Sequence, residues 1–215
     1  MREPAHSRGT PDVDTGGGLP ESARICGIVL AGGKGRRMGG VDKGLQTFRE
    51  KPMVQWVLDR FAPQVGTLLI NANQNLACYR EFGFDVVADE VGGFAGPLAG
   101  LHRGMSAAQQ AWVATVPCDS PFLPADLIAR LAAPFANAAI DLSVARTGDQ
   151  AHPVFCLARR RLLPHLDAYL AAGGRKIDAW YATLRVAEVA FDDEADAFGN
   201  LNTLEELQAA ERETR

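Results

Sequence analysis

The sequence predicts an α/β protein in which helices cover both faces of a mostly parallel sheet. Short apolar runs alternate with segments whose apolar residues recur at helical spacing, an order that indicates right-handed βαβ units. Polar or acidic residues close several of these apolar runs. Because ligands bind at the carboxyl ends of the strands in open α/β sheets, the same pattern predicts a binding crevice at one sheet edge.

Four strands, each followed by a helix, are predicted before residue 136. The strands are expected at residues 25–30, 67–73, 84–89 and 112–119. The first helix has the clearest signal, because four apolar residues repeat at i, i+3, i+4 and i+7 from Val54 to Phe61, just after Pro52. The other helices are expected at residues 75–82, 98–108 and 127–135.

The pattern changes after residue 139. Residues 140–146 and 152–158 are strand-like, and we expect them to form a hairpin or a crossing pair. A helix is expected from Arg159, and Pro164 should kink or restart it. Further elements are expected at residues 176–183 (a helix), at residues 185–191 (a strand) and from Thr203 onwards (a helix with capping-box spacing to Glu206).

Composition is that of an ordinary soluble globular protein, with 47% hydrophobic and 22% charged residues in a chain of 215. A formal net charge of −4 argues against a nucleic-acid partner, which would require a basic face. No apolar run approaches the roughly 20 residues of a membrane helix, so no membrane partner is expected. The four cysteines lie far apart without a C-x-x-C pair, which predicts reduced thiols and argues against a zinc site.

Residues 1–23 are predicted to form a disordered tail, and residues 24–215 a single domain. The tail is rich in Gly, Pro, Ser and Thr and has almost no apolar residues. It lacks the continuous apolar core of a secretory signal, so we expect a cytoplasmic protein.

The most distinctive stretch runs from Ile28 to Lys43, where an apolar strand pattern changes abruptly into glycines and basic residues. Four basic side chains against the single Asp42 leave a local charge of +3. Since glycine lets backbone N–H groups approach a phosphate chain, the stretch predicts a phosphate-binding loop. It is not a dinucleotide fingerprint, because Met38 replaces the third glycine, and it is not a P-loop, because Gly44 follows Lys43.

This stretch resembles the opening motif of the nucleotidyltransferases that activate a phosphate with a nucleoside triphosphate, Leu-Ala-(Gly/Ala)-Gly-x-x-x-Arg-Met-Gly-x-x-x-Lys, and within them it looks like the molybdenum cofactor guanylyltransferase branch. The matching positions are Leu30, Ala31, Gly32, Gly33, Arg37, Met38, Gly39 and Lys43. Gly32 stands where the sugar-phosphate and cytidylyl branches have alanine, and Asp42 precedes the lysine as in the guanylyl branch. The resemblance covers nearly all of the chain past residue 23, with further matches at residues 71–73, Asp89, 96–100, 117–119, 152–153 and 200–203.

The resemblance implies a Rossmann-like three-layer sandwich with a mostly parallel, mixed sheet, of the nucleotide-diphospho-sugar transferase type. Residues 24–135 would form a nucleotide-binding half and residues 136–215 an acceptor-binding half. The implied reaction transfers GMP from GTP to the terminal phosphate of molybdenum-molybdopterin, with Mg²⁺ as cofactor and release of pyrophosphate. Proteins that deliver molybdopterin, and molybdoenzymes that accept the product, are the implied protein partners.

The residue types fit the roles that the resemblance implies. A nucleoside triphosphate carries about four negative charges and needs cations and N–H groups, and Mg²⁺ needs at least one carboxylate. Lys43, Arg37 and Asp119 are the implied catalytic residues, and Asp119 the implied metal ligand. The implied nucleotide contacts are Leu30, Ala31, Gly32, Gly33, Lys43, Asn71, Asp89 and Asp119, and Asn200 and Asn202 would lie on the pterin side. An acceptor phosphate is already ionised at neutral pH, so the reaction needs no catalytic base.

Other readings remain open from the sequence. Taken alone, an acid at a strand end is more often a turn residue than a ligand. A cytidylyltransferase or a sugar-1-phosphate nucleotidyltransferase would share the loop and the mechanism but would prefer alanine at Gly32. A nucleotide-binding accessory protein that delivers cofactor would bind the triphosphate without releasing pyrophosphate.

Overall fold

The computed structural model describes residues 19–31, 42–89 and 96–199, which contain nine strands and six α-helices. The strands are β1 (Ile25–Leu30), β2 (Thr47–Phe48), β3 (Lys51–Pro52), β4 (Thr67–Asn71), β5 (Asp85–Val87), β6 (Trp112–Pro117), β7 (Leu142–Thr147), β8 (Gln150–Arg159) and β9 (Val186–Ala190). The α-helices are α1 (Met53–Phe61), α2 (Leu76–Arg80), α3 (Pro97–Ala107), α4 (Leu127–Ala132), α5 (Leu163–Ala171) and α6 (Ile177–Tyr181).

Seven of these strands form one mixed sheet, in the order β5-β4-β1-β6-β8-β7-β9. Strand β1 pairs in parallel with β4 and β6, and β5 extends the parallel part beyond β4. Strand β8 runs antiparallel to both of its neighbours, while β9 is parallel to β7. The mostly parallel, mixed sheet is therefore confirmed, and so is the hairpin that joins β7 to β8.

Two apolar cores lie on opposite faces of the sheet, which makes the fold a three-layer sandwich. Helices α1 and α4 cover one face and α3, α5 and α6 cover the other. Ile28 and Val29 are neighbours on β1, and they are buried in different cores because successive strand residues point to opposite faces. All the residues of β1 up to Val29 are buried, as in a central parallel strand.

The helix expected from Arg159 begins later, at Leu163. Arg159 is the last residue of β8, and a 3-10 turn at Arg160–Leu162 separates the strand from α5. Pro164 lies in the first turn of α5, where the missing N–H of proline has no helical partner to lose. Of the two outcomes predicted for Pro164, the restart of a helix is the correct one.

A small antiparallel hairpin of β2 and β3 was not predicted from the sequence. Four 3-10 segments were also not predicted: Ser22–Arg24, Lys43–Leu45, Ala62–Gln64 and Asp192–Phe198. Strands β4, β5 and β6 each end two residues before the predicted polar ends, so those polar residues lie in the loops that follow.

Residues 1–18 and the helix expected from Thr203 lie outside the described residues. The division into two halves at residue 135 stays a prediction. Among the described helices, none has the length and apolar character that crossing a bilayer requires.

Candidate active site

The carboxyl ends of β1, β4 and β6 lie level with one another at one edge of the sheet. Leu30 at the end of β1 is in register with Asn71 on one side and with Pro117 on the other. The pairing continues past the strand ends, since the Ala31 N–H donates to the Asn71 carbonyl at 2.8 Å and the Cys118 N–H to the Leu30 carbonyl at 3.1 Å. The loops that follow the three strands therefore begin next to one another at the same edge of the sheet.

Lys43 and Asp119 meet at this edge. Lys43 Nζ lies 3.4 Å from Asp119 Oδ2, and the two side chains are 24% and 12% exposed. Asp119 follows β6 by two residues, and Lys43 opens the 3-10 turn Lys43–Leu45. The structure thus pairs a cation and a carboxylate that are 76 residues apart in sequence.

The electrostatics of this pair are set by burial. Burial raises the pKa of the Asp119 carboxyl above its ordinary value, although the Lys43 ammonium opposes the shift. Burial also raises the pKa of the adjacent Cys118 thiol well above its usual range, with the Asp119 charge adding to the effect. Cys118 therefore stays protonated at neutral pH, which argues against a role as nucleophile or thiolate ligand.

A second polar cluster connects the ends of β4 and β5. The Asn71 side-chain amide, which is buried, donates to Asp89 Oδ1 at 2.9 Å and to the Val87 carbonyl at 3.3 Å. Asn73 donates to Asp89 Oδ2 at 2.8 Å and accepts the Asp89 backbone N–H at 2.9 Å. Both carboxylate oxygens of Asp89 are thus hydrogen-bonded to amides, which fixes the carboxylate beside the end of β4.

The residue before Lys43 is held from the side of α2. Asp42 Oδ1 accepts the Tyr79 hydroxyl at 2.5 Å, and Asp42 Oδ2 accepts the Asn75 amide at 3.0 Å. A Cβ added to Gly44 would lie 2.5 Å from the Tyr79 oxygen and 3.2 Å from Cys118 Sγ. The backbone on either side of Lys43 therefore runs close to α2 and to the end of β6.

Helix α3 begins at the same edge and runs back across the sheet. A Cβ on Gly100 would lie 2.6 Å from both Asn71 Oδ1 and Leu30 Cδ2, at the ends of β4 and β1. One turn later, Gly104 faces Ile28 in the middle of β1. The start of α3 thus lies beside the ends of β1 and β4, and a helix start of this kind can favour a nearby anion.

Residues 27–186 match the family model of the MobA-like NTP transferase domain. The chain belongs to the MobA-like NTP transferase family. A Cupriavidus pinatubonensis protein named molybdenum cofactor guanylyltransferase is 52% identical to it over 192 residues, which cover 87% of this chain and 96% of the relative. A Ralstonia pickettii protein with the same name is 53% identical over 198 residues, which cover 87% and 97%.

A solved structure shares the fold. Molybdopterin-guanine dinucleotide biosynthesis protein A from Archaeoglobus fulgidus superposes with a TM-score of 0.72 at 22% identity, covering 88% of this chain and 98% of that one. The α/β nucleotidyltransferase fold and the family that the sequence motif resembled are both confirmed. As a member of the MobA-like NTP transferase family, the chain is a nucleotidyltransferase.

Of the family residues expected in the site, the structure describes six. It brings Lys43 to Asp119, and it brings Asn71 to Asp89. Leu30 and Ala31 lie at the strand end beside Asn71. The remaining expected residues, Gly32, Gly33, Arg37, Asn200 and Asn202, lie outside the described residues.

Three residues of the site were not assigned a role from the sequence: Asn73, Asp42 and Tyr79. The sequence did indicate a role for Asn73, because it follows a strand and belongs to a matched family segment. Asp42 was noted only as a residue typical of the guanylyl branch. No sequence pattern indicated a role for Tyr79, because its buried position on the five-residue helix α2 is set by contacts with distant residues.

The donor set is suited to a metal ion that arrives with the substrate. Within the described ranges, no group of three or more His, Cys, Asp and Glu side chains could hold a metal ion by itself. Mg²⁺ in nucleotide sites is commonly held by one or two carboxylates, with phosphates and water completing its shell. A single carboxylate at Asp119, beside the Lys43 ammonium, fits that arrangement.

Proposed function

We propose that this nucleotidyltransferase transfers GMP from GTP to the terminal phosphate of molybdenum-molybdopterin and releases pyrophosphate. The observation that carries the proposal is the pairing of Lys43 with Asp119 at the carboxyl edge of the sheet, 3.4 Å apart. The choice of GTP and of the pterin acceptor is supported by the names of the relatives that are about half identical to the chain.

Lys43 supplies the positive charge on the nucleotide side. Its ammonium binds a phosphate oxygen of GTP, and it offsets the negative charge that grows on the pyrophosphate as it leaves. The start of α3 adds backbone N–H groups from a second direction. Outside the described residues, we assign Arg37 to the same charge-neutralising role and Gly32 and Gly33 to close backbone approach to the phosphates.

Asp119 is the residue that would hold Mg²⁺. When bound, the ion would neutralise phosphate charge and align the triphosphate. The proposal is supported by the position of Asp119, which is mostly buried and lies beside the Lys43 ammonium.

The reaction itself needs no proton transfer before attack. An oxygen of the acceptor phosphate, already ionised at neutral pH, forms a bond to the α-phosphorus of GTP. The bond between the α-phosphorus and its bridging oxygen breaks, and pyrophosphate leaves with the electron pair. The protein therefore acts by positioning the two substrates and neutralising charge, and the protonated Cys118 has no part in the chemistry.

The amide cluster forms the nucleotide wall of the crevice. Asn71 and Asp89 contact GTP in this proposal, with Asn73 keeping the Asp89 carboxylate in place. We assign Asn200 and Asn202 to the pterin side. A cytoplasmic location and partners that deliver molybdopterin or accept the product also belong to this proposal.

Product analysis tests the proposed function. The protein is incubated with GTP, Mg²⁺ and molybdenum-molybdopterin, and the mixture is analysed by mass spectrometry for a GMP adduct and by a coupled assay for pyrophosphate. We expect equal amounts of adduct and pyrophosphate, and neither product when the acceptor is left out. GTP binding without either product would contradict the proposal and would favour a cofactor-delivery protein.

A further inference from the structure

An acidic residue, Asp42, lies next to the cation of the proposed site. A carboxylate in this position is a competitor: it can pair with the Lys43 ammonium, and it repels a triphosphate. Lys43 Nζ nevertheless lies at Asp119, at a distance of 3.4 Å. The Asp42 carboxylate instead forms hydrogen bonds on the side of α2.

Helix α2 and the residue that precedes it hold that carboxylate through both of its oxygens. The Tyr79 hydroxyl donates to Asp42 Oδ1 at 2.5 Å, and the Asn75 amide donates to Asp42 Oδ2 at 3.0 Å. Tyr79 is fully buried, so its hydroxyl has a fixed position. A hydrogen bond to a charged group is among the stronger ones in proteins, and here two of them act on one carboxylate.

The backbone after Lys43 is fixed as well. The Leu45 N–H donates to the Asp42 carbonyl at 3.3 Å and the Gln46 N–H to the Lys43 carbonyl at 3.1 Å, which closes the 3-10 turn. Gly44 passes so close to Tyr79 and Cys118 that a Cβ would collide with the tyrosine oxygen. Tyr79 therefore touches the turn on both sides of Lys43.

We propose that Tyr79 and Asn75 are positioning residues that turn the Asp42 carboxylate away from Lys43 and from the bound triphosphate. The inference rests on the proposed function, since it concerns the availability of Lys43 to GTP. Loss of the Tyr79 hydroxyl would release the carboxylate next to the cation. The affinity for GTP would then fall, while the chemistry at the α-phosphorus would change little.

Steady-state kinetics of Tyr79→Phe test this inference. We expect the KM for GTP to rise about tenfold, on the scale of one hydrogen bond to a charged group, with a much smaller change in kcat. Tyr169→Phe is the matched control, because it also loses one hydroxyl hydrogen bond, to the Lys176 carbonyl at 3.0 Å, but on helix α5 and outside the proposed site. We expect it to keep the native KM.

A second substitution separates the effect of charge from that of packing. In the Tyr79→Phe background, Asp42→Asn removes the charge that the hydroxyl restrains, so the KM should return to within about threefold of the native value. A purely structural role of Tyr79 would lower the melting temperature and would give no such rescue. An unchanged KM in Tyr79→Phe, or a double variant no better than the single one, would overturn the inference.

Two further measurements cover the cases in which Tyr79→Phe does not fold or the native protein shows no turnover. If Tyr79→Phe does not fold, Asn75→Gly removes the other donor while suiting the left-handed backbone at this position (φ 51°), and the same KM rise and rescue are expected. If the native protein binds GTP without turnover, the proposed function fails. The GTP dissociation constants of the same variants then decide the inference separately: equal constants would overturn it.

Discussion

At the residue scale, the proposed site contains a carboxyl group, Asp119, that the fold largely buries. Burial works against ionisation of Asp119, and the Lys43 ammonium only partly offsets this effect. An apolar or amide side chain in this place would suit the fold better. A carboxyl group at this position is therefore expected to serve binding rather than stability.

The first prediction concerns Lys43. Lys43→Ala should weaken GTP binding or slow turnover by roughly 1.5–3 kcal/mol, the scale of a hydrogen bond to a charged group. Isothermal calorimetry with GTP and steady-state kinetics give the two values, and circular dichroism checks that the fold is intact. Native binding and turnover in a folded variant would remove Lys43 from the site.

The second prediction is that Asp119→Asn separates activity from stability. The Asp119 carboxyl has a higher pKa in the folded state than in the unfolded state. Its ionisation therefore lowers the free energy of unfolding, and this loss develops as the pH rises from 3.8 through the raised pKa. The asparagine variant should thus be at least as stable as the native protein at pH 7, and this relative advantage should shrink toward pH 4. GMP transfer should fall by orders of magnitude.

Urea unfolding at several pH values and a magnesium titration of GMP transfer check both parts of the second prediction. If the variant keeps native activity and the native magnesium requirement, Asp119 is a turn residue and the metal is held elsewhere. A large loss of stability at pH 7 would show instead that the ion pair supports the fold.

At the element scale, α3 can approach the sheet only because glycines face the strands. A Cβ on Gly104 would lie 1.6 Å from Cδ1 of the buried Ile28, and one on Gly100 would press on Asn71 and Leu30. The close approach keeps the start of α3 beside the strand ends. The same two glycines thus allow α3 to pack on the sheet and hold its start beside the proposed site.

The third prediction is that Gly104→Ala destabilises the protein by up to about 2 kcal/mol. Overpacking costs about 1–3 kcal/mol, and the better helix propensity of alanine offsets about 1 kcal/mol of it. Adding Ile28→Val removes the colliding Cδ1 atom, so the double variant should be more stable than Gly104→Ala alone. Urea unfolding of the two single variants and the double variant measures this coupling. Additive losses would contradict the close contact.

Elements whose apolar residues recur at a regular spacing could be predicted from the sequence. Elements that depend on contacts with residues far away in the sequence could not. The apolar repeat from Val54 to Phe61 specifies α1 by itself. The two-residue strands β2 and β3 have no such signal, and their position depends on Phe48, which packs against Phe122 and whose carbonyl accepts the Trp56 indole N–H at 2.8 Å. Local patterns cannot encode contacts between residues so far apart.

The same distinction applies to the site. Leu30, Asn71, Asp89 and Asp119 could be placed at one edge because each closes or follows an apolar run. The restraint of Asp42 by Tyr79 could not be predicted, because a tyrosine within a short helix has no sequence signature that names its partner 37 residues earlier.

At the scale of the whole molecule, one continuous sheet joins the parts of the chain before and after residue 135. Strand β6 pairs with β8, with Trp112 opposite Arg159, and the Arg159 guanidinium lies 4.5 Å from the Trp112 ring centroid. Both cores contain residues from each part. The predicted nucleotide-binding half and the predicted acceptor-binding half therefore belong to one structural unit.

The fourth prediction is that the chain unfolds as one cooperative unit. Tryptophan fluorescence reports on Trp56 and Trp112 in the first part and on Trp180 in the second, whereas far-ultraviolet circular dichroism reports on the whole chain. In urea the two signals should change at the same midpoint. Separate midpoints would show that the halves fold independently, in conflict with the shared sheet.

The most direct test of guanylyl transfer is the nucleotide preference of the native protein. Pyrophosphate release is measured with Mg²⁺ and molybdenum-molybdopterin, and with ATP, CTP, GTP and UTP supplied one at a time at equal concentration. We expect rapid, acceptor-dependent release with GTP and little with the other three nucleotides. Equal or faster release with CTP, or release that does not depend on the acceptor, would contradict it.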